Sequence, residues 1–244
     1  MAYNPIMHLL KGLNGKLNSG MLSGLQGQQN AQNVAFLREL QREIRKEQVM
    51  YDPLLHLKYV VFDIETTGFH PDKGDVILSI GAVKMEGRTI KEKETFYSLV
   101  YHNEDLSEEV SALTGIVKED LLAAPNLSTV LMQFFEFTQD AILVAHHANH
   151  EKTFLHHTSW KLFRTPFKHR ILDTSFLYKI ADPELALVRL EDLCTHHNIP
   201  VINRHHALGD SILTAKLWNI YLEKIKERGI HTMTDMYEAL SRIR

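Results

Sequence analysis

Two hydrophobic periods succeed one another along the chain. From about Lys58 to Tyr101 apolar residues come in short runs: Tyr59-Val60-Val61-Phe62, then Val76-Ile77-Leu78-Ser79-Ile80-Gly81-Ala82-Val83, then a segment from Glu94 to Tyr101. The turn signals Gly74-Asp75 and Glu86-Gly87 separate them, so the pattern predicts strands over 58–65, 76–85 and 94–101 joined as antiparallel hairpins. Beyond Leu127 the repeat lengthens to three or four residues. Leu127, Val130, Leu131, Phe134 and Phe135 predict a helix over 127–137, and Leu208, Ile212, Ala215, Trp218 and Leu222 predict another over 208–225. Shorter helices are expected around Phe154 and Leu155, over 187–196 and over 231–243, with buried strands at 141–145 and 170–173. Strands first, then helices alternating with short strands, describe an α/β domain with a mixed sheet.

The N-terminal quarter has neither period at its start. Gly12, Gly15, Gly20, Gly24 and Gly27 punctuate residues 1–33, and 26–33 is rich in Gln and Asn. Val34, Leu37, Leu40 and Ile44 then predict an amphipathic helix over 33–50, stopped by Pro53. The expected organisation is an extension over 1–55, flexible and then helical, a main domain over 56–228, and a short C-terminal helix over 229–244. The 33–50 helix has three open roles: docking on a protein partner, forming a coiled coil, or folding back on the main domain.

Composition narrows the class. With 44% apolar and 23% charged residues in 244, a sizeable core is available. A formal charge of −3 excludes a strongly basic binder, but not a nucleic-acid enzyme whose acidic site holds divalent cations. The single Cys194 excludes an intramolecular disulfide framework. No stretch of about 18 apolar residues is present, and Lys11, Lys16 and the glycines break any signal-peptide core. The expectation is a cytoplasmic protein with no membrane partner. Fifteen histidines, four adjacent pairs among them, lower the weight of any single one, and neighbours in sequence do not share a helix face.

The candidate chemistry begins inside the first strand, in Tyr59-Val60-Val61-Phe62-Asp63-Ile64-Glu65-Thr66-Thr67-Gly68. Strand side chains alternate, so Asp63 and Glu65 share a face. Two carboxylates on a largely apolar strand repel one another and are costly to desolvate, and no Lys or Arg lies within the run. A divalent metal answers that problem better than an exposed edge strand, given the Val-Val-Phe before the acids and the Thr-Thr-Gly after them. Two later segments add to it. Glu151 lies in the first turn after the buried strand ending at Ala145, while His205 precedes and Asp210 opens the last long helix.

With these residues in view the chain resembles the DEDD exonucleases, in the histidine-containing branch that includes the proofreading epsilon subunit of bacterial replicative polymerase. The family's first motif, D-x-E-T-T-G, is matched by Asp63, Glu65, Thr66, Thr67 and Gly68, and its third, H-x-A-x-x-D, by His205, Ala207 and Asp210. Ile77 to Val83, Leu113-Thr114-Gly115-Ile116 and Leu172-Asp173-Thr174 resemble the landmarks between them, so the likeness covers roughly 56–228. The second motif departs from the family: Ala145-His146-His147-Ala148-Asn149-His150-Glu151 carries Glu151 where an Asp is usual, and His147 and His150 where Asn and Phe are usual.

The resemblance implies a ribonuclease H-like mixed five-stranded sheet with helices on both faces, preceded by the helical extension. It implies a 3′–5′ exonuclease releasing nucleoside 5′-monophosphates from a single-stranded or frayed 3′ end of DNA or RNA. Asp63, Glu65, Glu151 and Asp210 would hold two divalent ions, Mg²⁺ or Mn²⁺, about 3.5–4 Å apart, with His205 as the base that takes a proton from the attacking water. Thr66, Thr67, Gly68, Phe69, Leu113, His146 and His147 are the expected substrate contacts. The longer Glu151 bears on metal preference, because Mg²⁺ demands tighter geometry than Mn²⁺ or Ca²⁺.

A zincin motif starting at His150-Glu151 fails because Phe154 stands where its second His belongs; a His146/His150 zinc pair ranks below the carboxylate site. Asp173 is expected to cap the next helix, and Arg164, Lys168, His169, Arg170 and Arg204 are candidates for a basic patch. The alternative function is a catalytically weak protein that binds nucleic-acid ends, or an adaptor docking on a replication or repair partner through the N-terminal helix.

Overall fold

The computed structural model describes residues 47–139 and 141–243. The helix expected over 33–50 therefore lies almost wholly outside the described residues; Glu47–Met50 is a 3₁₀ turn.

Five strands form one mixed sheet: β1 (Lys58–Thr66), β2 (Ile77–Glu86), β3 (Thr89–Leu99), β4 (Ile142–Ala145) and β5 (Ile171–Asp173), in the order β3-β2-β1-β4-β5. β1 lies at the centre, antiparallel to β2 and parallel to β4. A strand covered on both faces should read as a continuous apolar run, and Tyr59 to Phe62 are all buried. Among the described residues the α-helices are α1 (Glu108–Thr114), α2 (Lys118–Ala123), α3 (Leu127–Thr138), α4 (Asn149–Phe163), α5 (Ser175–Ala181), α6 (Leu190–His196), α7 (Ala207–Glu227) and α8 (Met233–Arg242).

Alternation along β1 divides the core. Val60, Phe62 and Ile64 face α3 and α4, packing with Val130, Phe134, Phe135, Phe154 and Leu155. Tyr59 and Val61 face the other way, onto α5, α6, α7 and α8 through Leu177, Leu193, Trp218, Tyr221 and Met236. Asp63 and Glu65 continue this second row beyond its apolar part.

Three differences from the expected elements have physical causes. β3 begins at Thr89 and not at Glu94, because the Gly87-Arg88 turn leads straight into Lys91, Glu92, Lys93 and Glu94; charged residues on an edge strand hide its period while discouraging pairing with another chain. α1 and α2 were not predicted. They are single-layer surface helices with few buried residues, although Ser107 accepts the Val110 N–H as a cap and Gly115 ends α1 at φ 69°. The short α5 is the helix that directly follows Asp173. The segment after α7 is integral to the fold: Met233 and Met236 are buried in the α7-side core, and Leu54 N–H donates to His231 O at 2.7 Å.

Candidate metal centre

Glycine at one position of β2 assembles the site. Gly81 pairs directly with Asp63 on β1 and with Tyr97 on β3. A Cβ at Gly81 would lie 2.1 Å from the Leu208 backbone nitrogen and 2.2 Å from the Ala207 carbonyl carbon. Only hydrogen fits there, so the first turn of α7 rests directly on the sheet beside Asp63. Ser211 Oγ completes the seat by donating to Gly81 O at 2.8 Å. A second contact of this kind is at Gly209, where a Cβ would lie 2.2 Å from Asn203 O.

This approach carries Asp210 to the end of β1. Ligand oxygens of Asp63, Glu65 and Asp210 lie within 4.8 Å of one another, the one such group of acids or histidines among the described residues. Burial raises the Asp63 carboxyl well above the usual carboxylate range, reinforced by the charges of Glu151, Glu65 and Asp210. Burial, then Asp210, pushes Glu65 up to about 7. Glu151 arrives from the first turn of α4, the helix packed on the opposite face. It is 3% exposed and is pushed up to about 8, first by burial and then by Asp173 and Glu65. It stands beside the three-acid group without joining it. Its Oε2 and the Oδ1 of Asp210 are buried with no hydrogen-bond partner among the described residues. Buried carboxylate oxygens left unpaired among like charges fit an oxygen-ligand cation such as Mg²⁺ or Mn²⁺.

The two histidines before α7 are differently placed. His206 caps the helix, its Nδ1 accepting from Gly209 N–H at 3.4 Å, and its ring stacks on Tyr97 with centroids 4.5 Å apart. His205 takes φ 58° and donates its backbone N–H to Asp210 Oδ2 at 3.1 Å. Its ring has no hydrogen bond or ring contact among the described residues. A non-glycine residue in the left-handed region costs on the order of 1 kcal/mol, a strain concentrated at functional sites.

Several expected substrate contacts have other partners. Both ring nitrogens of His146 are engaged, Nδ1 with Thr174 Oγ1 at 2.7 Å and Nε2 with Val188 O at 2.9 Å. His147 Nε2 meets the same carbonyl at 2.9 Å, so the pair secures the loop before α6. Thr66 Oγ1 donates to Gly68 O, while Thr67 Oγ1 accepts from Val76 N–H. These hydroxyls build the turn. Gly68 lies against Asp75, which would meet a Cβ at 2.5 Å. Phe69 is exposed and meets the His150 ring edge-on at 5.6 Å, and Leu113 is exposed on α1. His150 Nε2 lies 3.4 Å from Thr66 Oγ1, and neither His146 nor His150 belongs to a group of three or more metal-ligand side chains among the described residues. Asp173 accepts from Ser175 N–H at 2.7 Å and from Ala148 N–H at 2.9 Å, capping α5 and fixing the entry to α4.

The basic patch is corrected. His169 is buried against Phe135 and Phe167, with its ring nearly parallel to both. Arg204 pairs with Asp210 and, at 3.1 Å, with Glu191. Arg204 is thus part of the acidic site, and its charge holds down the Asp63 and Glu65 carboxyls against their burial. Sequence reasoning missed Gly81 as the seat of α7 and Arg204 as an ion-pair partner. A lone glycine inside the apolar run of β2 was the available signal for the first.

Known proteins resemble the chain in sequence and in fold. The RNase_T family model, described as an exonuclease, matches residues 60–218. The chain is 33% identical over 176 residues to the DNA polymerase III subunit epsilon of Aquifex aeolicus, covering 72% of this chain and 86% of that protein. It is 34% identical over 183 residues to the PolC-type DNA polymerase III of Caldanaerobacter subterraneus, of which it spans only 13%. The nuclease domain of 3′hExo, a DEDDh family member solved with rAMP, superposes with TM-score 0.61 at 18% identity, covering 69% of this chain and 92% of that one. Among the described residues no helix is long and apolar enough to cross a membrane.

Proposed function

The chain belongs to the RNase_T exonuclease family, and on that premise we propose that it is a metal-dependent 3′–5′ exonuclease acting on single-stranded or frayed DNA ends. The observation that carries this reading is the convergence of Asp63, Glu65 and Asp210 within 4.8 Å, with orphaned carboxylate oxygens on Asp210 and Glu151. Asp63, Glu65 and Asp210 would hold divalent ions, and Glu151 would complete the set from α4. Bound Mg²⁺ or Mn²⁺ supplies charge stabilisation at the scissile phosphate and a water acidic enough to be deprotonated near neutral pH. His205 is the proposed base: its ring is unengaged among the described residues and its backbone is tied to Asp210. Arg204 keeps Asp210 oriented between uses. DNA is favoured by the names of relatives such as the DNA polymerase III subunit epsilon of Aquifex aeolicus.

The test is release of nucleotides from a 3′-labelled single-stranded oligonucleotide in Mg²⁺ or Mn²⁺, beside Asp63→Asn. Nucleotide release by the native chain alone supports the proposal; no release above the variant in either metal overturns it. A second reading, a weakly catalytic protein that binds strand ends, draws on the Arg204–Asp210 pair and the set-back Glu151. End binding without release would select it.

A further inference from the structure

Asp63, Gly81 and Tyr97 form a row across the three strands β1, β2 and β3, paired one to the next, so their side-chain positions share the α7 face of the sheet. With strands about 4.8 Å apart, Tyr97 stands roughly 10 Å from Asp63. Gly81, between them, is roofed by the first turn of α7. At the far side of that roof the His206 ring lies on the Tyr97 ring, centroids 4.5 Å apart and planes 22° from parallel. The pair is fixed from both sides. Tyr97 is held by strand pairing, and His206 by its cap to Gly209. Tyr97 nevertheless remains 40% exposed. The charge of Glu65 reaches its hydroxyl and adds to the burial that raises its pKa, which places the ring at the border of the acidic site. Core aromatics of this fold are covered; this one is rigid, half open and beside the candidate chemistry.

We propose that the Tyr97–His206 stack is a nucleobase platform, taking the base of the nucleotide next to the terminal one as the 3′ end enters the carboxylate centre. The inference rests on the exonuclease reading and adds a binding site to it. Stacking suits a strand of any sequence, since every base has a π-face, and a pre-stacked pair loses little freedom when a base joins it. The platform also gives a net-acidic chain a way to hold a strand end without a basic groove.

The experiment uses the full chain, a single-stranded oligonucleotide, the same oligonucleotide with an abasic residue next to its 3′ nucleotide, and the p-nitrophenyl ester of thymidine 5′-monophosphate. Replacing Tyr97 by alanine should raise KM for the intact oligonucleotide roughly tenfold with little change in kcat, a loss in the range of one base–aromatic stack. The ratio of oligonucleotide to ester kcat/KM should fall by the same factor, and Tyr97→Trp should restore it. The abasic oligonucleotide should show the raised KM with the native chain, and Tyr97→Ala should add nothing further. Equal losses on oligonucleotide and ester, or additive effects of variant and abasic residue, overturn the platform. If the native chain hydrolyses neither substrate, the exonuclease reading fails on its own. The platform is then decided by 2-aminopurine placed next to the 3′ nucleotide: quenching on binding that Tyr97→Ala abolishes supports it, and quenching unchanged by the substitution overturns it.

Discussion

The two faces of the sheet start from the same strand and end differently. On the α3–α4 face, Val60, Phe62 and Ile64 meet an apolar layer, and each large side chain fully buried there contributes about 1.5–3 kcal/mol. On the α7 face the same strand gives Tyr59 and Val61 to the core and then Asp63 and Glu65 to an acidic cluster. The first face is built for stability alone. The second gives some stability up where α7 meets β2, and places like charges there. If that division is right, substitutions at the end of β1 should uncouple activity from stability, while those on the opposite face should not.

The largest effect is expected at Asp63. Asp63→Asn should lower nuclease kcat on the order of 10³-fold by removing a ligand from the centre of the group. In chelator-treated buffer at neutral pH the same variant should melt higher than the native chain. The reason is that burial and the charges of Glu151, Glu65 and Asp210 raise the Asp63 carboxyl, so its ionisation works against the fold. Mg²⁺ should then raise the melting temperature of the native chain and leave the variant nearly unchanged. A variant less stable than the native chain without metal would refute the division of labour.

Gly81→Ala tests how the site is assembled. The added Cβ meets backbone at 2.1 and 2.2 Å, which no side-chain rotation relieves, so α7 must lift from the sheet. Overpacking of this kind costs about 3 kcal/mol, and unlike Asp63→Asn it should lower stability and activity together. Urea unfolding alongside nucleotide release separates the two.

The apolar face has its own polar residue, and it predicts a smaller effect. His169 packs against Phe135 and Phe167, and burial pushes its pKa down to about 4, partly offset by the Gln139 backbone. The unfolded chain binds this proton near pH 6.5 and the folded chain only near 4, so stability falls with pH through that window. The loss should reach about 2 kcal/mol at pH 5. His169→Phe should remove this component without changing activity at pH 7.5. The raised carboxyls of Glu65 and Glu151 titrate in the opposite sense, so the difference between the two proteins is the quantity to measure.

Legibility in the sequence followed the same division. The period of β1 and the spacing of Asp63 and Glu65 showed that an acidic pair would sit on one face, and the motif around His205 showed which helix would bring Asp210. What was not legible was contact between distant segments. Nothing local in Arg204 shows that it will pair with Asp210 and Glu191, and nothing local in His169 shows that it will pack against two phenylalanines. Histidines 146 and 147 sit within the motif and still turn to Val188 O, a partner some forty residues ahead. β3 and the helices α1 and α2 were obscured because charged or sparsely buried elements carry little periodic signal.

Glu151 is where the two faces meet, and it carries the smallest predicted change. Its helix is fastened to the packing face by Phe154 and Leu155, yet its carboxyl is directed to the acids of the other face and ends with one oxygen unpaired. An aspartate there would have one rotor fewer to order, worth about 0.5–1 kcal/mol, and would give Mg²⁺ a stiffer ligand. Glu151→Asp should therefore preserve or raise activity in Mg²⁺, by no more than about tenfold (~1.4 kcal/mol), and lower the ratio of Mn²⁺- to Mg²⁺-supported rates. The measurement is kcat in each metal for both proteins. A fall to the level of Asp63→Asn would mean that the packing face holds α4 too far from the acids for a short side chain, and that the extra methylene is the reach by which this face takes part in the site.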